Sequence, residues 1–188
     1  MTGPIIVTGC QRSGTMLAAN ILGNSRGWQV WHDQNWSTHP RNLAILQSFI
    51  NTGRTDLIIQ CPAALNCFDQ LYHMFPSLHF VGLKRKTDDI LASMKRIKWY
   101  EDEVDNPEQF YKDHIRFMNS QWGLLKQILP PENWTEVKYN ELKDYSEFLP
   151  KSQRKDFTSK QWELNKPIGP KYWNIDPYWR DEAVETPD

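Results

Sequence analysis

Residues 7–20, VTGCQRSGTMLAAN, bring glycines, hydroxyls and an arginine together in one short run. The run leaves a β-branched apolar stretch, PIIVT, and enters a helical pattern of Met16, Leu17, Ile21 and Leu22. A glycine-containing turn between a strand and a helix aims its backbone N–H groups at one point, where the helix dipole adds partial positive charge. Ser13 and Thr15 can donate hydroxyl hydrogen bonds to an anion held there, and Arg12 adds a planar charged fork suited to phosphate or sulfate oxygens. A nucleotide kinase would carry lysine directly after the second glycine, followed by the hydroxyl that holds magnesium. Here Thr15 follows Gly14, and the cation, Arg12, precedes it by two residues. The run reads as an anion cradle with no magnesium signature.

Strands and helices must alternate to place such a loop. The apolar runs 4–8, 28–32, 56–60, 78–84 and 134–139 predict five strands. Between them come helical segments at 13–25, 40–53, 62–76, 87–100 and 106–129, several punctuated by Pro or Gly. Thr87 is expected to cap its helix, with Asp88 and Asp89 at the positive end of the dipole. Asn106 is expected to cap the longest helix, with Pro107 at its first position. Short helices are expected at 140–149 and 152–164, and the Pro-, Trp- and Tyr-rich remainder from Asn165 reads as a tail or lid. The alternation predicts a single α/β domain over 1–188 with a core at about 4–149. Its form is three-layer α/β/α, a central parallel sheet of about five strands with the phosphate-binding loop after the first. Ligands of such sheets bind beyond the carboxyl ends of the strands.

Net charge is −1, so an anion must be held by a local cluster, and nucleic acid is not an expected partner. No apolar run approaches the roughly 18 residues of a membrane span, and no secretory leader pattern is visible. Cys10, Cys61 and Cys67 suit neither a disulfide framework nor a metal site. The expectation is a metal-free cytoplasmic domain; its oligomeric state is not legible. Nine tryptophans serve packing, with Trp31, Trp36 and Trp99 as candidate walls of an aromatic cleft.

QRSGTMLAANIL (11–22) resembles the 5′-phosphosulfate loop, PRSGTT or PKSGTT, of sulfotransferases that use 3′-phosphoadenosine 5′-phosphosulfate (PAPS). LHFVGLKRKTDDILASMKR (78–96) resembles their 3′-phosphate element, an Arg at a strand end and a Ser eight residues later. IIQCPAALNCFDQLYHMFPSLHF (58–80) resembles the segment before that element, most like the tyrosylprotein and related sulfotransferases. VKYNELKD (137–144) resembles their V-x-Y-E-x-L strand end, and IGPKYW (168–173) resembles a terminal G-x-W segment. The resemblance implies that Gln11, Arg12, Ser13, Gly14, Thr15 and Met16 wrap the 5′-phosphosulfate. It implies that Arg85 and Ser93 take the 3′-phosphate, with Tyr139 and Lys171 as further nucleotide contacts. Met16 departs from the second Thr of the family loop, and Lys86-Thr87 from the Asn-Pro or Asp-Pro that usually follows the Arg.

The implied reaction moves a sulfuryl group from PAPS to a hydroxyl or amine acceptor, leaving 3′-phosphoadenosine 5′-phosphate (PAP). Such transfer needs in-line placement, charge neutralised on the leaving oxygen and a base for the acceptor's proton. Arg12 serves the leaving phosphate. Asp33 matches a catalytic Glu of tyrosylprotein-type relatives, and His32 is the alternative base. Neighbours on a strand face opposite ways, so only one can act. Gln60 stands where those relatives carry a Lys beside the sulfonate, and Lys84 and Lys98 are candidate replacements for its charge. A non-catalytic PAP-binding protein is the alternative reading, and a small nucleotide kinase the third.

Overall fold

A computed structural model of the chain describes residues 3–26, 28–32, 47–48, 51 and 56–144. Five strands, β1 (Ile5–Gly9), β2 (Gln29–His32), β3 (Leu57–Gln60), β4 (His79–Lys84) and β5 (Trp134–Lys138), form one sheet in the order β2-β3-β1-β4-β5. Every pairing is parallel. Around the sheet lie α1 (Thr15–Arg26), α2 (Phe68–Met74), α3 (Thr87–Arg96) and α4 (Pro107–Ile128). From β1 the chain goes to β2 at one edge, returns to β3 beside β1, and then crosses to β4 and β5 on the other side. β1 therefore stands at the reversal of strand order, and the loop at its carboxyl end faces the crevice where such sheets bind ligands.

Side-chain alternation along the strands divides the core. Ile5 and Val7 of β1 join Ile58, Val81, Leu83 and Val137 beneath Ala18, Ala19 and Ile21 of α1. Ile6 faces the opposite way, with Leu57, Ile59 and Phe80, against Leu71, Ile90, Met94, Tyr111, Ile115, Met118 and Leu125 of α2–α4. The near-continuous apolar reading of β1, β3 and β4 follows from burial on both faces.

Gly82 of β4 carries a packing requirement. A Cβ there would lie 2.2 Å from the Trp122 ring, which is buried and donates its Nε1–H to Glu136 Oε2 at 2.7 Å. Gly82→Ala must displace that ring or bend the strand, so a loss of about 1–3 kcal/mol is expected. That corresponds to a melting point lower by several degrees. Gly123→Ala is the matched control: nothing lies within 4 Å of its added methyl, and a mid-helix alanine should stabilise by about 0.5–1 kcal/mol. Thermal denaturation of both variants checks the pair, and equal melting points would contradict the Trp122 contact.

The predicted helix at 62–76 is divided. Pro62–Asn66 is a 3₁₀ turn, Cys67 leaves helical geometry at φ −142°, and α2 starts at Phe68. The turn is tied to β1, where Thr8 donates to the Pro62 carbonyl at 3.2 Å and Cys61 N–H donates to Val7 O at 3.0 Å. Those tertiary bonds hold the first turn apart from α2. Thr87 is not a cap: Lys86 occupies the cap position without a side-chain bond, and its carbonyl accepts from Asp89 N and Ile90 N at 3.1 Å each. Asn106 caps α4 as expected, accepting from Gln109 N at 3.1 Å. The short helix expected from 140 is a 3₁₀ helix, Tyr139–Asp144. The segments expected at 40–53, apart from residues 47, 48 and 51, and beyond 144 lie outside the described residues. The chain divides into two compact units, Met1–Phe148 and Leu149–Asp188, the second wholly outside them.

At the amino end of the sheet His79 is buried, with Nδ1 bonded to Glu132 O at 3.0 Å and Nε2 to Thr135 Oγ1 at 2.9 Å. Burial lowers its pKa below the ordinary histidine value. The unfolded chain therefore binds the proton more readily than the folded one. His79 contributes its full stability above about pH 6.5, lost as pH falls from there through the lower folded value. Urea midpoints measured between pH 7.5 and 5 should fall, and His79→Gln should flatten that slope.

Candidate functional site

The loop from β1 to α1 passes through left-handed backbone three times, at Gly9 (φ 135°), Arg12 (φ 69°) and Gly14 (φ 103°). Glycine enters that region freely, whereas a side-chain-bearing residue does so at a cost of about 1 kcal/mol. Arg12 is held there by two bonds. Arg85 Nη1 donates to its carbonyl at 3.0 Å, and its own Nε donates to Ser93 Oγ at 3.2 Å. Ser13 N–H closes the turn on Cys10 O at 3.0 Å. The first bond of α1, from Ala18 N to Gly14 O at 3.0 Å, leaves the N–H groups ahead of it at the helix mouth. Gly14 also needs its missing side chain, since a Cβ would lie 2.5 Å from Tyr139 Cδ2.

Arg85 leaves β4 and α3 supplies Ser93, and both meet the loop through Arg12. The Arg85 guanidinium lies 4.2 Å from the centre of the Tyr139 ring and its Nε 4.0 Å from Asp89 Oδ2. Arg12, Ser13 and Gly14 of the expected 5′ group, Arg85 and Ser93 of the expected 3′ group, and the further candidate Tyr139 are therefore one contiguous cluster. Ser13 is fully buried, and its Oγ has no hydrogen-bond partner among the described residues. An unsatisfied buried hydroxyl costs about 1–3 kcal/mol, which an anion accepting its proton would relieve. Met16 is exposed at the helix start. Cys10 remains a thiol, because burial pushes its pKa up to about 12.

Gln60 ends β3 opposite Val7 of β1 and His32 of β2. It is buried and donates from Nε2 to Thr15 Oγ1 at 3.0 Å. The two candidate replacements for its charge each lie near a glutamate. Lys84 pairs with Glu136 at 3.8 Å and the largely exposed Lys98 with Glu101 at 3.8 Å. Backbone pairing sets His32 at the carboxyl edge of the sheet. Asp33, Lys171 and Trp36 lie outside the described residues.

One site contact escaped sequence reasoning. His114 of α4 donates from Nε2 to Gln11 Oε1 on the loop at 2.5 Å. Burial lowers its pKa and favours the neutral ring; an amide oxygen can only accept, so the bond to Gln11 Oε1 sets the hydrogen on Nε2. Its ring meets Trp99 edge-on at 4.8 Å, within a group that includes Tyr100, Phe110 and Tyr111. The signal was present: Tyr111, Ile115, Met118 and Trp122 mark the inward stripe of α4, and His114 borders it. Trp99 and Trp31 both pack against the core on the α2–α4 side, so packing accounts for them. Among the described residues no cluster of His, Cys, Asp or Glu could hold a metal, and no helix is long and apolar enough to cross a membrane.

A five-stranded parallel sheet whose first loop lies at the strand-order reversal, where Arg85 and Ser93 meet it, is an α/β fold of the P-loop type. A profile of the sulfotransferase family matches residues 51–147, just over half of the chain, and the chain belongs to that family. The sulfotransferase domain from the curacin biosynthetic pathway is similar in structure, with 13% identity and a TM-score of 0.56 over 92% of this chain and 77% of that one. Sulfotransferase STF1 from Mycobacterium tuberculosis gives 13% and 0.57, over 88% of this chain and 67% of that one. The sulfotransferase domain from a Synechococcus olefin synthase gives 14% and 0.55, over 99% and 89%. At such identities the likeness shows a shared fold. Among curated proteins, none matches this sequence.

Proposed function

We propose that the protein transfers a sulfuryl group from PAPS to a hydroxyl or amine acceptor. The observation that carries this reading is the joining of Arg12, Arg85 and Ser93 by hydrogen bonds of 3.0 and 3.2 Å. A cradle for a 5′-phosphosulfate alone needs no second cation; one that also takes a 3′-phosphate needs Arg85 beside it. Arg85 presents a pre-oriented fork, since the Tyr139 ring and the Arg12 carbonyl already fix its plane. The loop N–H groups and Ser13 Oγ hold the 5′ group, and Arg12 neutralises charge on the leaving phosphate oxygen. Asp33, or His32 beside it, takes the acceptor's proton from beyond β2. The donor and acceptor are the partners of this reading, in the cytoplasm and without metal, nucleic acid or membrane.

The reading is tested by thermal stability with PAP against ADP and ATP, without magnesium. At a hundred times its dissociation constant a ligand stabilises by about 2.7 kcal/mol, a shift of several degrees for a chain of this size. Stabilisation by PAP well beyond that by ADP is the expected result; stabilisation by ATP only when magnesium is added would replace the reading with a kinase.

A specific observation favours the non-catalytic alternative on the same fold. Gln60, a neutral amide, stands where the tyrosylprotein-type pattern carries a Lys, and its Nε2 donates to Thr15 Oγ1. Release of PAP from PAPS in the presence of a panel of phenols, sugars and amines separates the two: tight PAP binding with no turnover on any acceptor selects the alternative.

A further inference from the structure

We infer that Gln60 is a positioning residue that turns the Thr15 hydroxyl into an obligatory donor toward the bound anion. This rests on the anion-cradle reading of the loop. Gln60 Nε2 donates to Thr15 Oγ1 at 3.0 Å, and both side chains are buried, 5% and 4% exposed. A hydroxyl has one proton and two lone pairs. With a lone pair engaged by Gln60, the Thr15 proton is directed elsewhere, and no protein acceptor takes it among the described residues. Thr15 opens α1, whose free N–H groups converge on the anion position, so the proton joins that array. The amide is itself anchored by its place on the sheet, with Gln60 in register with Val7 on one side and His32 on the other.

Gln60 therefore does more than fill the place of an absent charge. A lysine there would supply a cation of its own; the amide instead acts through a neighbour. It fixes a neutral donor before the ligand arrives, so that no hydroxyl reorientation is needed on binding. A donor bond to an ionised oxygen is among the stronger hydrogen bonds, and losing its orientation should weaken anion binding about tenfold.

The test is a double-mutant cycle on the full chain, read as dissociation constants for PAP and for inorganic pyrophosphate, with melting points taken alongside. Gln60→Met keeps the volume and removes the donor; Gln60→Glu inverts it, since an ionised carboxylate draws the Thr15 proton to itself. Gln60→Met and Thr15→Ala should each weaken binding about tenfold, and the double variant should bind no worse than Thr15→Ala alone. Gln60→Glu should bind more weakly than Gln60→Met. Additive losses, or a lower melting point in Gln60→Met with unchanged affinity, would reduce Gln60 to a packing residue and overturn the inference. So would undiminished binding in Gln60→Glu, because the amide would then be accepting the hydroxyl proton. If pyrophosphate shows the coupling while PAP does not bind, the donor reading falls and the role of Gln60 stands. If PAP binds and the losses add, the reverse holds. A wild-type chain that binds neither anion would overturn both.

Discussion

Arg85→Ala is expected to weaken PAP binding by about 10²–10³ while changing ADP binding far less. The guanidinium would make charge-assisted bonds to the 3′-phosphate, each worth about 1.5–3 kcal/mol. Two such bonds account for the upper end of the range. Its second role is structural: Arg85 Nη1 braces the Arg12 carbonyl in a left-handed conformation. Losing that brace would cost all nucleotides alike, but by less, because Arg12 retains its bond to Ser93. Isothermal titration with PAP and ADP separates the two roles. Equal losses for both would assign Arg85 to bracing alone and remove the 3′-phosphate from the site. Arg85→Lys should recover part of the affinity, since an ammonium brings charge without the planar fork.

The second large effect concerns turnover. Asp33→Ala is expected to lower kcat by about 10²–10⁴, the usual worth of a positioned general base, with PAP affinity unchanged. Asp33 is chosen from its position in the sequence. His32 pairs with Gln60 at the carboxyl edge of the sheet, and Asp33 follows it directly. Single-turnover transfer from PAPS to an acceptor found by screening gives the number. If His32→Ala removes transfer and Asp33→Ala does not, the base is the histidine, and the pH–rate profile should then break near a histidine pKa.

The parallel sheet was legible because its inner strands are buried on both faces, which leaves continuous apolar runs such as Ile5–Val7 and Leu57–Ile59. The loop was legible because Gly, Ser, Arg and Gly at that spacing satisfy a local backbone requirement. The cap of α4 was legible for the same reason, since Asn106 bonds a backbone group three residues away. Helix continuity at 62–76 was not. Its break depends on Thr8, which reaches Pro62 from β1 across 54 residues of chain.

The site divides along the same line. Local spacing named Arg12, Ser13, Gly14 and Thr15, and the resemblance to the sulfotransferases added Arg85, Ser93 and Tyr139. Their union did not follow from spacing. Arg12 meets Ser93 over 81 residues and Arg85 over 73, and only the β1–β4 pairing brings those strand ends side by side. His114 reaches Gln11 over 103 residues and Gln60 reaches Thr15 over 45, through the packing of α4 and the β3–β1 register. Lys84 and Lys98 looked equally available in the sequence, and in the fold each lies 3.8 Å from a glutamate. Local chemistry, set by turns, caps and periodicity, was written in consecutive residues. Which distant side chains share a proton or a charge was decided by strand order, since hydrogen bonds act over about 3 Å and sequence offsets cannot measure that distance.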